Sequence, residues 1–144
     1  MTPTHRSAPR LGAALDLLLP VLGGVAGVLG MVAIWTAVSL ALRSPAGWLA
    51  LVAAVDLALL MRLSGMPAGP RRAWAATAGT AVAITLGYWF QAAVGMGLLL
   101  GLQPMESAMR LGPVLAWDLV RLGSSGWDLL WALLALPLAW RLAR

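Results

Sequence analysis

The stretch AWAATAGTAVAITLGYWFQAAVGMGLLLGLQPM, residues 73–105, runs for thirty-three positions without a charged side chain. A helix needs about 20 mainly apolar residues to cross the roughly 30 Å hydrocarbon core of a bilayer. The stretch therefore predicts a membrane span with residues to spare. It also sets the solvent in which the rest of the chain is read. Toward the N-terminus, residues 17–42 form a second uncharged run of twenty-six. That run is too long for the 7 to 15 residue apolar region of a secretory signal, and further apolar segments follow it.

Composition agrees. The chain has 144 residues, 61% of them hydrophobic and only 10% charged, against roughly 25% charged in soluble domains. The longest polar-containing stretch between apolar runs, residues 103–125, is itself largely apolar, so one membrane domain over residues 1–144 is expected. The absence of cysteine excludes thiol redox chemistry and thiolate metal sites. A single histidine, His5, rules out a histidine-built metal centre or a bis-imidazole haem within one chain. The net charge of +5 comes entirely from scattered arginines. They form no stripe suited to nucleic acid, and anionic lipid headgroups are their expected counter-charge.

Two weaker segments complete the pattern. Residues 46–63 carry Asp56 at their centre, and residues 125–142 begin with Ser125-Gly126-Trp127-Asp128. A mid-helix aspartate costs about 2.5–3.5 kcal/mol on insertion, while each Leu or Val returns about 0.3–0.6. The sum over 46–63 is near zero, so this helix inserts with help from its neighbours. Ser125 and Asp128 have capping-box spacing. Residues 104–122, broken at Gly112-Pro113, carry Glu106 and Arg110 on the same face as the preceding Gln103, among Met105, Met109, Leu111 and Leu115. They read as an interfacial segment.

The expected fold is thus all-α: a polytopic four-transmembrane-helix bundle with spans at about 17–42, 46–63, 74–102 and 125–142. An extra interfacial helix lies between the third and fourth. Asp16 is expected at the N-terminus of the first span, with Pro20 in its first turn, where a missing amide donor costs little. Four crossings gather Arg6, Arg10, Arg62, Arg71, Arg72, Arg141 and Arg144 on one side and leave Arg43, Arg110 and Arg121 on the other. The positive-inside rule then puts both termini in the cytoplasm of a bacterial inner membrane. Trp74 and Trp140 fall at the inner boundary, and Trp48, Trp117 and Trp127 at the outer.

No catalytic, cofactor or metal constellation is legible. No nucleophile stands beside a base, and Gly95-Met96-Gly97 with Gly101 has its third glycine misplaced for a dinucleotide loop. The candidate intramembrane polar site is Asp56 with Tyr88 and Gln91. Counting inward from Trp74 places Tyr88 and Gln91 near mid-depth, Asp56 at the centre of its own segment lies at a similar depth, and Asp56 is expected to hydrogen-bond to Tyr88 or Gln91. Small residues recur at every fourth position at Ala75, Gly79, Ala83 and Gly87, with Gly23 and Gly27 in the first span and Ala50, Ala54 and Ala58 in the second. Such faces suit close helix packing, within the chain, in a homo-oligomer or with a membrane-protein partner. The expected role is a non-enzymatic accessory or interaction subunit. The alternative is a small transporter or channel that uses Asp56 as a proton- or cation-binding group.

Overall fold

The computed structural model describes residues 10–144, with side chains from residue 18 onward. His5, Arg6 and the side chains of Arg10 and Asp16 lie outside the described residues. Six helices follow one another: α1 (Arg10–Leu42), α2 (Leu49–Leu63), α3 (Pro70–Leu100), α4 (Pro104–Arg110), α5 (Pro113–Gly123) and α6 (Gly126–Ala143).

The breaks fall where the backbone chemistry demands them. α1 stops as Arg43 turns to φ 50°, just before Ser44-Pro45, because a residue preceding proline is pushed out of the helical region. Pro70, Pro104 and Pro113 each open a helix, at a position where the missing amide would have had no intrahelical partner. α3 ends at Gly101, whose φ of 67° lets the Leu102 amide reach back to the Gly97 carbonyl at 2.9 Å. The expected interfacial helix is two helices, α4 and α5, parted at Gly112-Pro113. α1 begins at Arg10 and not near Asp16, so Pro20 lies inside it and not in its first turn. The uncharged run from residue 17 marks where the helix becomes apolar, not where it starts.

α3 is the central element and touches every other helix, whereas α1 and α6 lie on opposite sides and do not meet. α2 packs against α3 with Leu57 opposite Gly79, where an added Cβ would stand 3.2 Å from the Leu57 Cδ1. The core is built largely of alanine: Ala50, Ala53, Ala54, Ala83, Ala135 and Ala139 are fully buried. Small side chains let the helix axes approach, which is how apolar helices gain packing energy when lipid offers no hydrophobic drive between them.

α2 and α6 are pinned at both ends. Near the start of α2, the Gly47 amide donates to Asp128 Oδ1 at 3.2 Å. Near its finish, Arg62 donates to the Leu142 carbonyl. The two helices therefore run side by side in the same direction. Arg72 adds a second clamp at the latter end, with Nε on the Ala143 carbonyl at 2.6 Å and Nη1 on Met66 at 3.2 Å. Guanidinium groups there satisfy carbonyls that a helix C-terminus leaves open. At the same end Trp74 and Trp140 meet edge to face, 5.0 Å between ring centres.

The outer surface is apolar, with Leu22, Leu29, Leu98, Leu99 and Leu133 all well exposed, as suits a chain surrounded by lipid. Two helices are long and apolar enough to cross a membrane, α1 over Leu18–Leu42 and α3 over Pro70–Leu100. α5 and α6 qualify together but meet at a bend of 109°. α2 has 15 residues, a rise of about 22 Å at 1.5 Å per residue.

Candidate functional site

The polar residues of mid-α3 take partners other than the one expected. Gln91 Oε1 accepts two hydrogen bonds from α1, Trp35 Nε1 at 3.2 Å and Ser39 Oγ at 3.2 Å. Trp35 is wholly buried, so its indole N–H needs an acceptor, and Gln91 supplies it. Its ring lies against Gly87, where a Cβ would come within 2.9 Å of it. Tyr88 stands edge to face with the same indole at 5.1 Å. The Tyr88 hydroxyl is buried and has no hydrogen-bond partner among the described residues.

Asp56 joins neither residue. It is half-buried on the α1 side of α2, where a Cβ on Gly27 would lie 3.7 Å from its Oδ2, and it makes no hydrogen bond among the described residues. Helix register explains the separation. With Leu57 opposite Gly79, Asp56 is level with the neighbourhood of Gly79, and Tyr88 lies nine residues further along α3, about 13 Å at the helical rise. Counting inward from Trp74 overestimates the depth they share, because α3 is 31 residues long and its middle is not the middle of α2.

The small-residue faces are largely used within the chain. Gly27 lies against Leu57 and Leu60, Gly79 against Leu57, and Gly87 against Trp35, while Ala83 is fully buried. Gly23 has nothing within 4 Å of an added Cβ.

Sequence spacing does find the Ser125–Asp128 box. The Ser125 amide and hydroxyl both donate to Asp128 Oδ2, at 2.8 and 2.9 Å. The other carboxylate oxygen holds Gly47, a contact across eighty-one residues that no local pattern announces. Asp128 is only 8% exposed, and its bonds come from two backbone amides and one hydroxyl of the chain itself, so it is a structural junction.

The arrangement with chemical capacity is a cleft under α5. A cavity of about 510 Å³ lies between α3, α5 and α6, and one of about 250 Å³ adjoins it toward the C-terminal part of α3. Tyr88, Val120 and Ser124 border both, so the two are lobes of one cleft. Asp56 borders neither. The residues that signal the cleft are a mid-span tyrosine and a short amphipathic helix, but nothing local in the sequence says that α5 folds back over α3. Among the described residues no three histidine, aspartate or glutamate side chains gather. No protein-family model, curated protein or solved structure matches this chain.

Proposed function

We propose that this chain is a four-crossing protein of a bacterial inner membrane, with both termini cytoplasmic, that serves as a non-enzymatic interaction subunit. The observation that carries the reading is the free flank of α1. Among the described residues this helix packs on α2 and α3 only, and its outward side is an exposed row of Ala26, Gly30, Ala33 and Ala37. An added Cβ on Gly30 meets nothing. Small residues in this spacing admit the backbone of a second helix, from a partner or from another copy.

The four-crossing topology has its own support. α2 is short, but its pinning to α6 at Gly47–Asp128 and Arg62–Leu142 lets the two cross as a pair. The pairing of Trp74 with Trp140 puts the two expected inner-boundary tryptophans at one level.

Extraction of native membranes in mild detergent tests the role. The protein migrates with a larger assembly, and Gly30→Phe releases it while leaving its own melting unchanged. Migration of the wild type as a lone monomer overturns the proposal. The transport reading is favoured by one observation, a half-buried carboxyl in mid-α2 without a hydrogen-bond partner. It requires proton or cation flux in proteoliposomes that Asp56→Asn abolishes.

A further inference from the structure

The cleft beneath α5 has a chemistry that the interaction role does not use. Its larger lobe is walled by Ile84, Trp89, Leu129 and Ala132, and its volume of about 510 Å³ falls within the roughly 300–1,000 Å³ of small-molecule sites. In a bilayer, an apolar recess of that size takes up hydrocarbon in preference to water.

Two polar groups border it. Arg121, in the last turn of α5, lies on the lobe's border and is exposed. Among the described residues the one ion pair is Glu106–Arg110, so the Arg121 guanidinium has no carboxylate partner, although Asp118 is three residues away. Deeper in, the Tyr88 hydroxyl is a buried donor without an acceptor, a costly condition unless a ligand oxygen relieves it. Trp117 and Trp127 are exposed near Arg121 in sequence, at 66% and 70%, as residues at headgroup level are.

We infer that this cleft binds one phospholipid with an anionic headgroup: an acyl chain fills the larger lobe, the phosphate sits on Arg121, and an ester oxygen accepts from Tyr88. Charge selects the headgroup, since a planar guanidinium grips phosphate through two parallel hydrogen bonds and a net negative lipid leaves no competing cation beside it. The inference rests on the membrane setting but not on a protein partner, so a monomeric protein in native extracts leaves it standing.

Native mass spectrometry of the full-length protein in non-ionic detergent tests it, with phosphatidylglycerol and phosphatidylcholine of identical chains as probes. The wild type retains one phosphatidylglycerol with at least a tenfold preference over phosphatidylcholine. Arg121→Gln reduces that preference to within about twofold, and Ala132→Phe, which fills the lobe, removes retention of both lipids. Leu129→Trp provides a second obstruction should Ala132→Phe fail to fold, with melting as the check. Equal retention of the two lipids by the wild type overturns the inference. So does a preference that survives Arg121→Gln, a lipid that survives both obstructions, or displacement by millimolar inorganic phosphate, which would mark a site for the anion alone.

Discussion

The Asp128 carboxylate holds the backbone of Gly47 at 3.2 Å while its second oxygen caps the helix that carries it. One side chain thus fixes the start of α6 and joins it to the turn that leads into α2. The two helices then run parallel until Arg62 closes the pair at Leu142. A carboxylate serves because it accepts at both oxygens, and two of its three bonds come from backbone N–H groups whose positions the chain path already sets.

Gly47→Ala is expected to destabilise the protein by about 1–3 kcal/mol, as overpacking does. The new Cβ would stand 2.8 Å from the Asp128 Cα, which is backbone and cannot rotate away. Asp128→Ala strands the Gly47 amide and the Ser125 donors and is expected to cost about 2–4 kcal/mol. Asp128→Asn keeps one acceptor oxygen and loses less. Thermal unfolding in detergent ranks the three, and an Asp128→Ala variant as stable as the wild type would falsify the junction.

Gly87 and Gly95 lie on one helix and make opposite predictions. A Cβ at Gly87 meets three atoms of the Trp35 ring at 2.9–3.1 Å, and that ring is fully enclosed. Gly87→Ala lowers stability by about 1–3 kcal/mol. Nothing lies within 4 Å of a Cβ at Gly95, so Gly95→Ala is neutral or stabilises by up to about 1 kcal/mol through helix propensity. Melting curves that rank the two variants the other way would show that α1 does not pack on α3 through Trp35.

What could be read from the residues follows from where their signals are local. The two long spans, the break at Gly112-Pro113 and the Ser125–Asp128 box each depend on neighbours in sequence, and the folded chain contains them. The facing of the helices does not. α3 is apolar almost all round, so no amphipathic stripe says which side turns inward. Leu57 opposite Gly79 is settled by shape alone. Asp56 pairs with neither Tyr88 nor Gln91 for that reason: depth can be counted along one helix, but register is a property of two. The Trp35 indole, in the C-terminal part of α1, carries a usable signal, since its N–H needs an acceptor and Gln91 is the amide within reach on α3.

Gln91→Leu removes the acceptor for both the Trp35 indole and the Ser39 hydroxyl. Interhelical hydrogen bonds in membranes are worth about 0.6–1.7 kcal/mol each, so a loss of about 1–3 kcal/mol is expected. Gln91→Glu keeps the acceptor and retains more of the stability. Tryptophan fluorescence follows the same change, because the Trp35 emission shifts when its N–H loses its partner; comparison with Trp35→Phe isolates that contribution. If Gln91→Leu and Ser39→Ala prove independent and each costless, the α1–α3 contact is held by packing alone.

Asp56 gives the last prediction, in the opposite direction from the others. Its carboxyl is half-buried beside Gly27 and accepts nothing among the described residues, so replacing it removes no hydrogen bond and relieves the cost of holding a polar group at depth. Asp56→Leu is therefore expected to leave the melting temperature unchanged or to raise it, with a gain of up to about 2.5–3.5 kcal/mol where the side chain had met hydrocarbon. Asp56→Asn, which keeps the polarity and the shape, stays near the wild type. The pair separates packing from function, because a group retained only as a helix-to-helix hydrogen bond would lose stability in the leucine variant. A drop of 2 kcal/mol or more in Asp56→Leu, measured against the 0.6–1.7 kcal/mol of one membrane hydrogen bond, would mean that the carboxyl holds a partner on α1 or in a neighbouring chain.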